Sequence, residues 1–594
     1  MSRPVAFFIR LAAGRRAPWI AVAIALLIAL PAVRSGYACD DDYHRLFLEG
    51  VRLPGGPRGA WDLYRFAGDP DGLRVAIDRG IYPWWTNPSL RLAFFRPIAS
   101  LWRAADHALW GASATMPHLE SALIYGLLAL ITARFFQRIF SGSKSLSIVA
   151  GLAGWIFAAD ASHGMAVSWV ANRYTVLATL FAVTSLELHV RSRASEARRL
   201  SLALGSALVF GCAMLTGEVS LGTWGYLVSY ALFMDGGSVR ARVLALAPHA
   251  VVTIAWAIPY RLLGCGASGS GFYVDPLASP GLFLKLFGLR FPLLVLGKLL
   301  GPPAELWAVT DPRGYVAAAV ALSVGGALAF VLYRVTRDEP RARFFGLGAL
   351  LAIVPTCAVL PADRNLFIAS IGAAGVLALA FARLLETPTM IATRALRWVL
   401  GGLMVRHFLL APVLFPLNGD STMRLFQDFT ERNARSLPHD PDVQGRSVVV
   451  LMTPDALFTN YGLLHNMLDP QRPAGASTRL LTVQTGGRMA ITRTSDRTLS
   501  ISNRAGINGG PFGPLYREAP FRAGERIRAG VLTAEVMEDD GALPTRLEFT
   551  FDEPLEAQRW VVWQGREFVE VPVLAVGESR EFEVTPLMSA MMAY

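Results

Sequence analysis

Three consecutive carboxylates, Asp40-Asp41-Asp42, follow directly on the apolar run APWIAVAIALLIALPAV (residues 17–33), which delivers them to the far end of the first hydrophobic segment. Adjacent anions beside a bilayer repel one another and resist desolvation, so their placement needs a cause. A carboxylate there can act as a general base toward a hydroxyl or can bind a divalent metal. Asp41 and Asp42 are the first candidates for the base, with Asp40 beside them. The competing account is an acidic helix end or solvated loop charge at the interface.

Further along, the polar residues that the apolar pattern does not explain are Arg96, His107, His118, His163, Arg173, Glu218 and the pair Asp363-Arg364, each at the end of an apolar run. Arg96, Arg173 and Arg364 could hold a phosphate through paired N–H groups. His163 and Glu218 join them as candidates for binding substrate or the donor phosphate. For Arg96 the alternative is snorkelling to lipid headgroups; for Asp363 and Arg364 it is pairing with each other at a short turn. The four cysteines, Cys39, Cys212, Cys265 and Cys357, lack metal-ligand spacing, and nothing in their positions supports a disulfide. No cofactor is required by the sequence; a divalent metal stays open.

These residues need a scaffold, and composition says which kind. Of 594 residues 53% are hydrophobic and 17% charged, too few charges for a soluble chain of this length. Apolar runs place spans at about 17–38, 117–139, 145–162, 168–189, 200–216, 219–234, 243–262, 314–334, 344–361, 364–384 and 396–416, about eleven in all. The first lacks a cleavage site and reads as an uncleaved anchor. The short run 219–234 and the excluded run 282–300 are the least regular. Net charge is +11, and the basic residues cluster between spans: Arg15-Arg16; Arg134, Arg138 and Lys144; Arg191 to Arg199; Arg240 and Arg242; Arg334 to Arg343; Arg394 and Arg397. With the N-terminus in the cytoplasm the alternation puts all of these inside, as short basic loops should be. Clusters that flank spans instead of forming one patch exclude nucleic acid as a partner.

The same alternation puts residues 40–116 outside as a long loop with amphipathic helical pieces (LYRFAGDPDGLRVAIDRG and RPIASLWRAADHALWG), and places Tyr82, Trp84 and Trp85 in the headgroup layer. A second outer loop begins at GCGASGSG (264–271). Past residue 418, segments such as RSVVVLM, TLSISN, RLEFTF and RWVVWQ alternate β-formers between turn residues. Residues 1–418 therefore read as the transmembrane domain, and residues 419–594 as an extracytoplasmic β-rich domain, sandwich-like.

With these segments in view the chain resembles the GT-C superfamily of membrane glycosyltransferases, in particular the branch of transmembrane and tetratricopeptide-repeat O-mannosyltransferases and their bacterial relatives. The landmarks run in the family's order: the acidic motif after span one; Arg96-Pro97, Asp106, Gly111 and Pro117-His118; His163, Ala166, Val167, Trp169 and Arg173; Glu218; and Asp363, Arg364, Leu366, Ser370, Ile371 and Gly372. The chain departs from the pattern at Gly217, Ser121 and Asn172, and its tail lacks the tetratricopeptide repeats.

The resemblance implies an enzyme that transfers a sugar, with inversion, from a polyprenyl-phosphate-linked donor to a hydroxyl of a protein, lipid or glycan acceptor at the outer membrane face. An aspartate would take the acceptor proton and arginines would stabilise the departing lipid phosphate. The expected location is a bacterial inner membrane. Two other readings are a transporter or flippase of a lipid-linked substrate, and a non-catalytic envelope assembly protein on the same scaffold.

Overall fold

The computed structural model describes residues 3–301, 303–306, 314–386, 391, 393–443, 445–469 and 477–592. The chain separates into two compact units: residues 1–36, 94–263 and 276–423 form one, and residues 37–93, 264–275 and 424–594 form the other.

The first unit is helical. Among the described residues nine helices are long and apolar enough to cross a membrane, from Ala17–Arg34 to Arg394–Ser436. Two more segments fill the expected count of about eleven without meeting that test. Arg173–Ala194 has the length, but Arg173, Glu187, Arg191 and Arg193 dilute its apolar character. Thr223–Phe233 has only 11 residues, about 16 Å of helix. The run at 282–300, excluded from the expected spans, is a continuous helix, Pro280–Leu299, interrupted in composition by Lys285, Arg290 and Lys298.

Small residues let these helices approach closely, as in membrane bundles generally. A Cβ on Gly372 would lie 2.1 Å from the Phe345 carbonyl oxygen, and one on Gly151 would lie 2.1 Å from that of Ala12. The Gly372 N–H also donates to the Tyr226 hydroxyl, which donates in turn to the Ile368 carbonyl. The glycine of the Ser-Ile-Gly landmark thus has a packing reason.

The second unit is β-rich. A six-stranded antiparallel sheet runs in the order Ser579–Glu583, Arg488–Arg493, Thr498–Ser502, Pro544–Phe551, Leu532–Asp539, Arg526–Ala529. A four-stranded sheet has the order Glu567–Glu570, Arg559–Gln564, Ser447–Thr453, Ser477–Val483. Where a sandwich of strands was expected, two neighbouring pairs of this second sheet are parallel. Parallel neighbours need a crossover, and the helix Ala456–Asn466 supplies it between Ser447–Thr453 and Ser477–Val483. Phe429, Phe458 and Phe568 pack edge-on in a chain with Trp563 at centroid distances of 5.1–5.4 Å.

Residues 37–93, expected to belong with the transmembrane part, fold into this second unit. Arg65–Ala67 and Arg91–Ala93 pair with Gly266–Ser268 in a three-stranded sheet. The headgroup-layer expectation for Tyr82, Trp84 and Trp85 is corrected here, because all three are buried. The Trp84 indole N–H donates to the Leu481 carbonyl at 2.9 Å and its ring meets Phe549 edge-on. An indole whose N–H finds a partner is as well placed in a protein core as at an interface.

Candidate active site

The three aspartates open a helix, Asp40–Leu48, and occupy its first turn. Negative charge is favoured at a helix N-terminus, where the backbone N–H groups point outward. The chain enters this helix through Cys39, whose φ of +55° with ψ of −121° is costly for a residue with a Cβ. Cys39 and Cys265 are both buried, and Cys265 Sγ accepts from Arg65 Nη2 at 3.8 Å.

Each aspartate has its own engagement. Asp41 is 1% exposed and accepts the Ala38 N–H at 3.0 Å. Asp42, also 1% exposed, accepts from Arg45 Nη1 on Oδ1 (3.2 Å) and pairs through Oδ2 with His465 Nδ1 (2.9 Å). Asp40 accepts from the Tyr461 hydroxyl at 2.6 Å. Burial, and then the Asp40 charge, raise the Tyr461 phenol well above its ordinary range, so it stays a donor. Buried carboxylates need such donors to offset lost hydration. Tyr461 and His465 are four residues apart on the crossover helix and so lie on the same face of it.

The remaining candidates belong to the helical unit. Arg96 is the residue before Pro97, which opens the helix Pro97–Trp110 as its rigid ring favours. Its Nε donates to Glu218 Oε2 at 2.7 Å, and its guanidinium lies 3.8 Å from the Tyr174 ring centroid and 4.6 Å from that of Phe94. Arg173 is 4% exposed and engaged on every nitrogen: it meets Asp106 at 2.9 Å and Glu120 at 3.1 Å, and donates to Ser121 Oγ and the Pro117 carbonyl. Burial pushes the Asp106 carboxyl up to about 6 in spite of Arg173, with the neighbouring Glu120 adding to the rise.

Arg364 is the least committed of the three arginines. Its side chain is 26% exposed, its closest carboxylate is Glu305 at 4.0 Å, and it sits 5.7 Å from the Trp169 ring centroid with Nη1 3.4 Å from Met165 Sδ. The expected pairing of Asp363 with Arg364 does not form. Asp363 is turned inward and accepts the Ala304 N–H at 3.0 Å, while its own N–H donates to Glu305 Oε1. Burial, then the Glu305 charge, raise the Asp363 carboxyl.

His163 is fully buried, its Nδ1 3.0 Å from the Tyr125 hydroxyl and its Nε2 3.0 Å from Ser370 Oγ, with its ring stacked 3.8 Å from Phe367. Such a ring orients its neighbours; it has no nitrogen left for a ligand. Sequence reasoning missed the ion pair beside it. Lys298 meets Asp160 and also donates to Ser162 Oγ at 2.7 Å and Ser370 Oγ at 2.6 Å. The signal was available as a lysine inside the apolar run FPLLVLGKLL. Among the described residues no group of three or more His, Cys, Asp or Glu side chains is arranged to hold a metal ion.

No family model matches the chain. In sequence it is similar to protein O-mannosyl-transferase TMTC2 of Homo sapiens, 30% identical over 145 residues that make up 24% of this chain and 17% of that protein. The Mus musculus protein of the same name is 28% identical over 143 residues, again 24% of this chain and 17% of the relative. In backbone it is similar to ArnT from Cupriavidus metallidurans bound to undecaprenyl phosphate, with a TM-score of 0.38 and 16% identity over 77% of this chain and 88% of that one. It is also similar to the archaeal oligosaccharyltransferase AglB from Archaeoglobus fulgidus, in complex with an inhibitory peptide and a dolichol-phosphate, with a TM-score of 0.39 and 13% identity over 73% of this chain and 62% of that one. The chain is a polytopic α-helical membrane protein with a C-terminal β-rich domain, and it spans 17% of the length of the curated relatives it matches.

Proposed function

We propose that this chain is a membrane glycosyltransferase of the GT-C type, moving a sugar from a polyprenyl-phosphate carrier to an acceptor hydroxyl on the outer face of the membrane with inversion at the anomeric carbon. The observation that carries this reading is the acidic cap. Two carboxylates are buried at a helix N-terminus and held by fixed donors, behind a strained residue, in a chain whose local similarity is to protein O-mannosyl-transferases. Strain and buried charge concentrate where chemistry requires them.

In this mechanism the acidic cap removes the acceptor proton as the hydroxyl oxygen attacks the anomeric carbon. The bond from that carbon to the carrier phosphate breaks, and the phosphate leaves with the electron pair. Charge developing on the phosphate is stabilised by a fixed cation. Within the helical unit, Arg364 is the arginine whose exposure and loose pairing suit it to an anionic phosphate, whereas Arg96 is paired with Glu218. Arg173 and His163, spent on internal partners, serve as positioning residues. The acceptor-side chemistry belongs outside a bacterial inner membrane, with the N-terminus in the cytoplasm and the β-rich domain outside.

The test is transfer of label out of the lipid phase from polyprenyl-phosphate mannose or glucose by the full-length protein in nanodiscs. It is to be joined to mass spectrometry of envelope glycans and glycoproteins from deletion and complemented strains. Wild-type transfer by the triple variant Asp40→Asn, Asp41→Asn, Asp42→Asn, in protein that inserts and melts normally, would overturn the reading.

The rival transporter reading has one feature in its favour, the buried Lys298–Asp160 pair, since ionisable residues among spans often mark transport pathways. Flux of lipid-linked substrate without transfer would select it.

A further inference from the structure

We infer that His465, in the β-rich domain, is the group that takes the acceptor's proton, and that Asp42 is the positioning residue which holds its imidazole. This rests on the reading of the acidic cap as the reaction centre and names the atom through which that cap acts.

Access argues first. Asp42 is 1% exposed and both of its oxygens are engaged, Oδ1 by Arg45 and Oδ2 by His465. Asp41 is equally buried and turned to the Ala38 N–H. A hydroxyl approaching Asp42 therefore meets the imidazole before the carboxylate. The His465 side chain is 30% exposed, with Nδ1 on the buried Asp42, and no described residue hydrogen-bonds to its Nε2. With Nδ1–H donating to Asp42 the tautomer is fixed, and Nε2 presents its lone pair outward. A buried carboxylate, an oriented imidazole and an accessible second nitrogen form the unit by which carboxylate–histidine pairs activate hydroxyls.

Electrostatics argues second. Proton transfer turns the imidazole into a cation. Asp42 faces it directly at 2.9 Å, and His465 lies in the last turn of the helix Ala456–Asn466, where the helix dipole favours positive charge. The other charged groups on the facing helix are Arg45, paired with Asp42 and Glu49, Asp40, which accepts from Tyr461, and Asp41, which accepts the Ala38 N–H. On the adjoining strand Ser477–Val483 the charged group is Arg479, committed to the Asp78 and Ala529 carbonyls.

The fold holds this pair rigidly. The helix starts at Asp455, whose side chain accepts the Leu457 and Phe458 N–H groups at 2.8 and 3.1 Å. Leu464 packs with Tyr43 and Leu46 of the acidic helix in one buried cluster. In the step itself the acceptor O–H proton passes to His465 Nε2, the acceptor oxygen bonds to the anomeric carbon, and the carrier phosphate departs with the electrons of the broken bond. The imidazolium then returns the proton to water.

The experiment uses the full chain in nanodiscs with polyprenyl-phosphate [14C]mannose, comparing His465→Asn, His465→Gly and the triple aspartate variant. Asn keeps a donor where Nδ1 stood, so it preserves a tether to Asp42 and removes only Nε2. Expected are a kcat about 10²–10⁴-fold lower in His465→Asn with unchanged KM and melting, and partial recovery of His465→Gly, roughly tenfold, by millimolar imidazole. Wild-type kcat in His465→Asn while the triple aspartate variant is dead overturns the role of His465 and leaves the acidic cap standing. Transfer that survives loss of all three aspartates overturns the cap and this inference together.

Discussion

Arg173 and Asp106 lie 2.9 Å apart, and the arginine's other donors reach Glu120, Ser121 and the Pro117 carbonyl. Even so, burial holds the Asp106 carboxyl up at about 6, against an ordinary value of 3.8. The folded protein therefore binds a proton here that the unfolded chain releases, between roughly pH 4 and 6. Its contribution to stability is complete at the acid end of that window and is lost as pH rises through 6. Asp106→Asn should flatten this part of the pH dependence of the melting temperature, measured by tryptophan fluorescence in detergent. An unchanged pH slope would refute the assignment.

Arg364→Ala should lower kcat by about 10²-fold or more with no change in melting temperature, because the side chain is loosely paired and partly exposed. Arg173→Ala should instead lower the yield of folded protein, since it strands Asp106 in a buried site. Comparing melting curves with turnover of a polyprenyl-phosphate sugar separates the two. Equal effects on stability would refute the division of labour.

Lys298→Met leaves the Asp160 carboxylate uncompensated, and breaking a buried pair from one side costs about 3–5 kcal/mol. Adding Asp160→Asn should recover much of that loss. Chemical denaturation of the single and double variants measures the coupling; additive losses would show that the pair does not interact.

Gly372→Ala puts a methyl 2.1 Å from the Phe345 carbonyl oxygen, between two packed helices. Neither side of that contact is a flexible side chain, so the helices must separate. We expect a lower melting temperature, with Gly372→Val worse than Gly372→Ala. A neutral Gly372→Ala in the same assay would contradict the close packing.

Much of this architecture was legible in the sequence. Apolar runs of bilayer length mark the helices because hydrophobicity is the dominant signal in such chains, and Arg96-Pro97 marks a helix start because proline is favoured in the first turn. Asp40 to Asp42 stood out by charge alone. Their partners did not: Tyr461 and His465 show a four-residue spacing, but that spacing does not say which distant surface a helix will meet. The crossover helix was likewise hidden, since a strand buried in a parallel pair reads like any other β-former run. Trp84 and Trp85 misled because an amphipathic ring looks the same whether its N–H finds a headgroup or the Leu481 carbonyl. Arg173 and His163 carried the residue types of a binding site, and only coordinates could reveal that internal partners had already claimed them.

Asp42 and His465 are separated by 423 residues. A ribosome adding 5–20 residues per second needs about 20–85 s to go from one to the other. Throughout that interval the nascent chain carries its acidic turn without the imidazole, so Asp42 gains its partner only after the whole helical unit has been synthesised. A product terminated before residue 465 would keep the helical unit and the acidic turn but leave Asp42 Oδ2 without the imidazole.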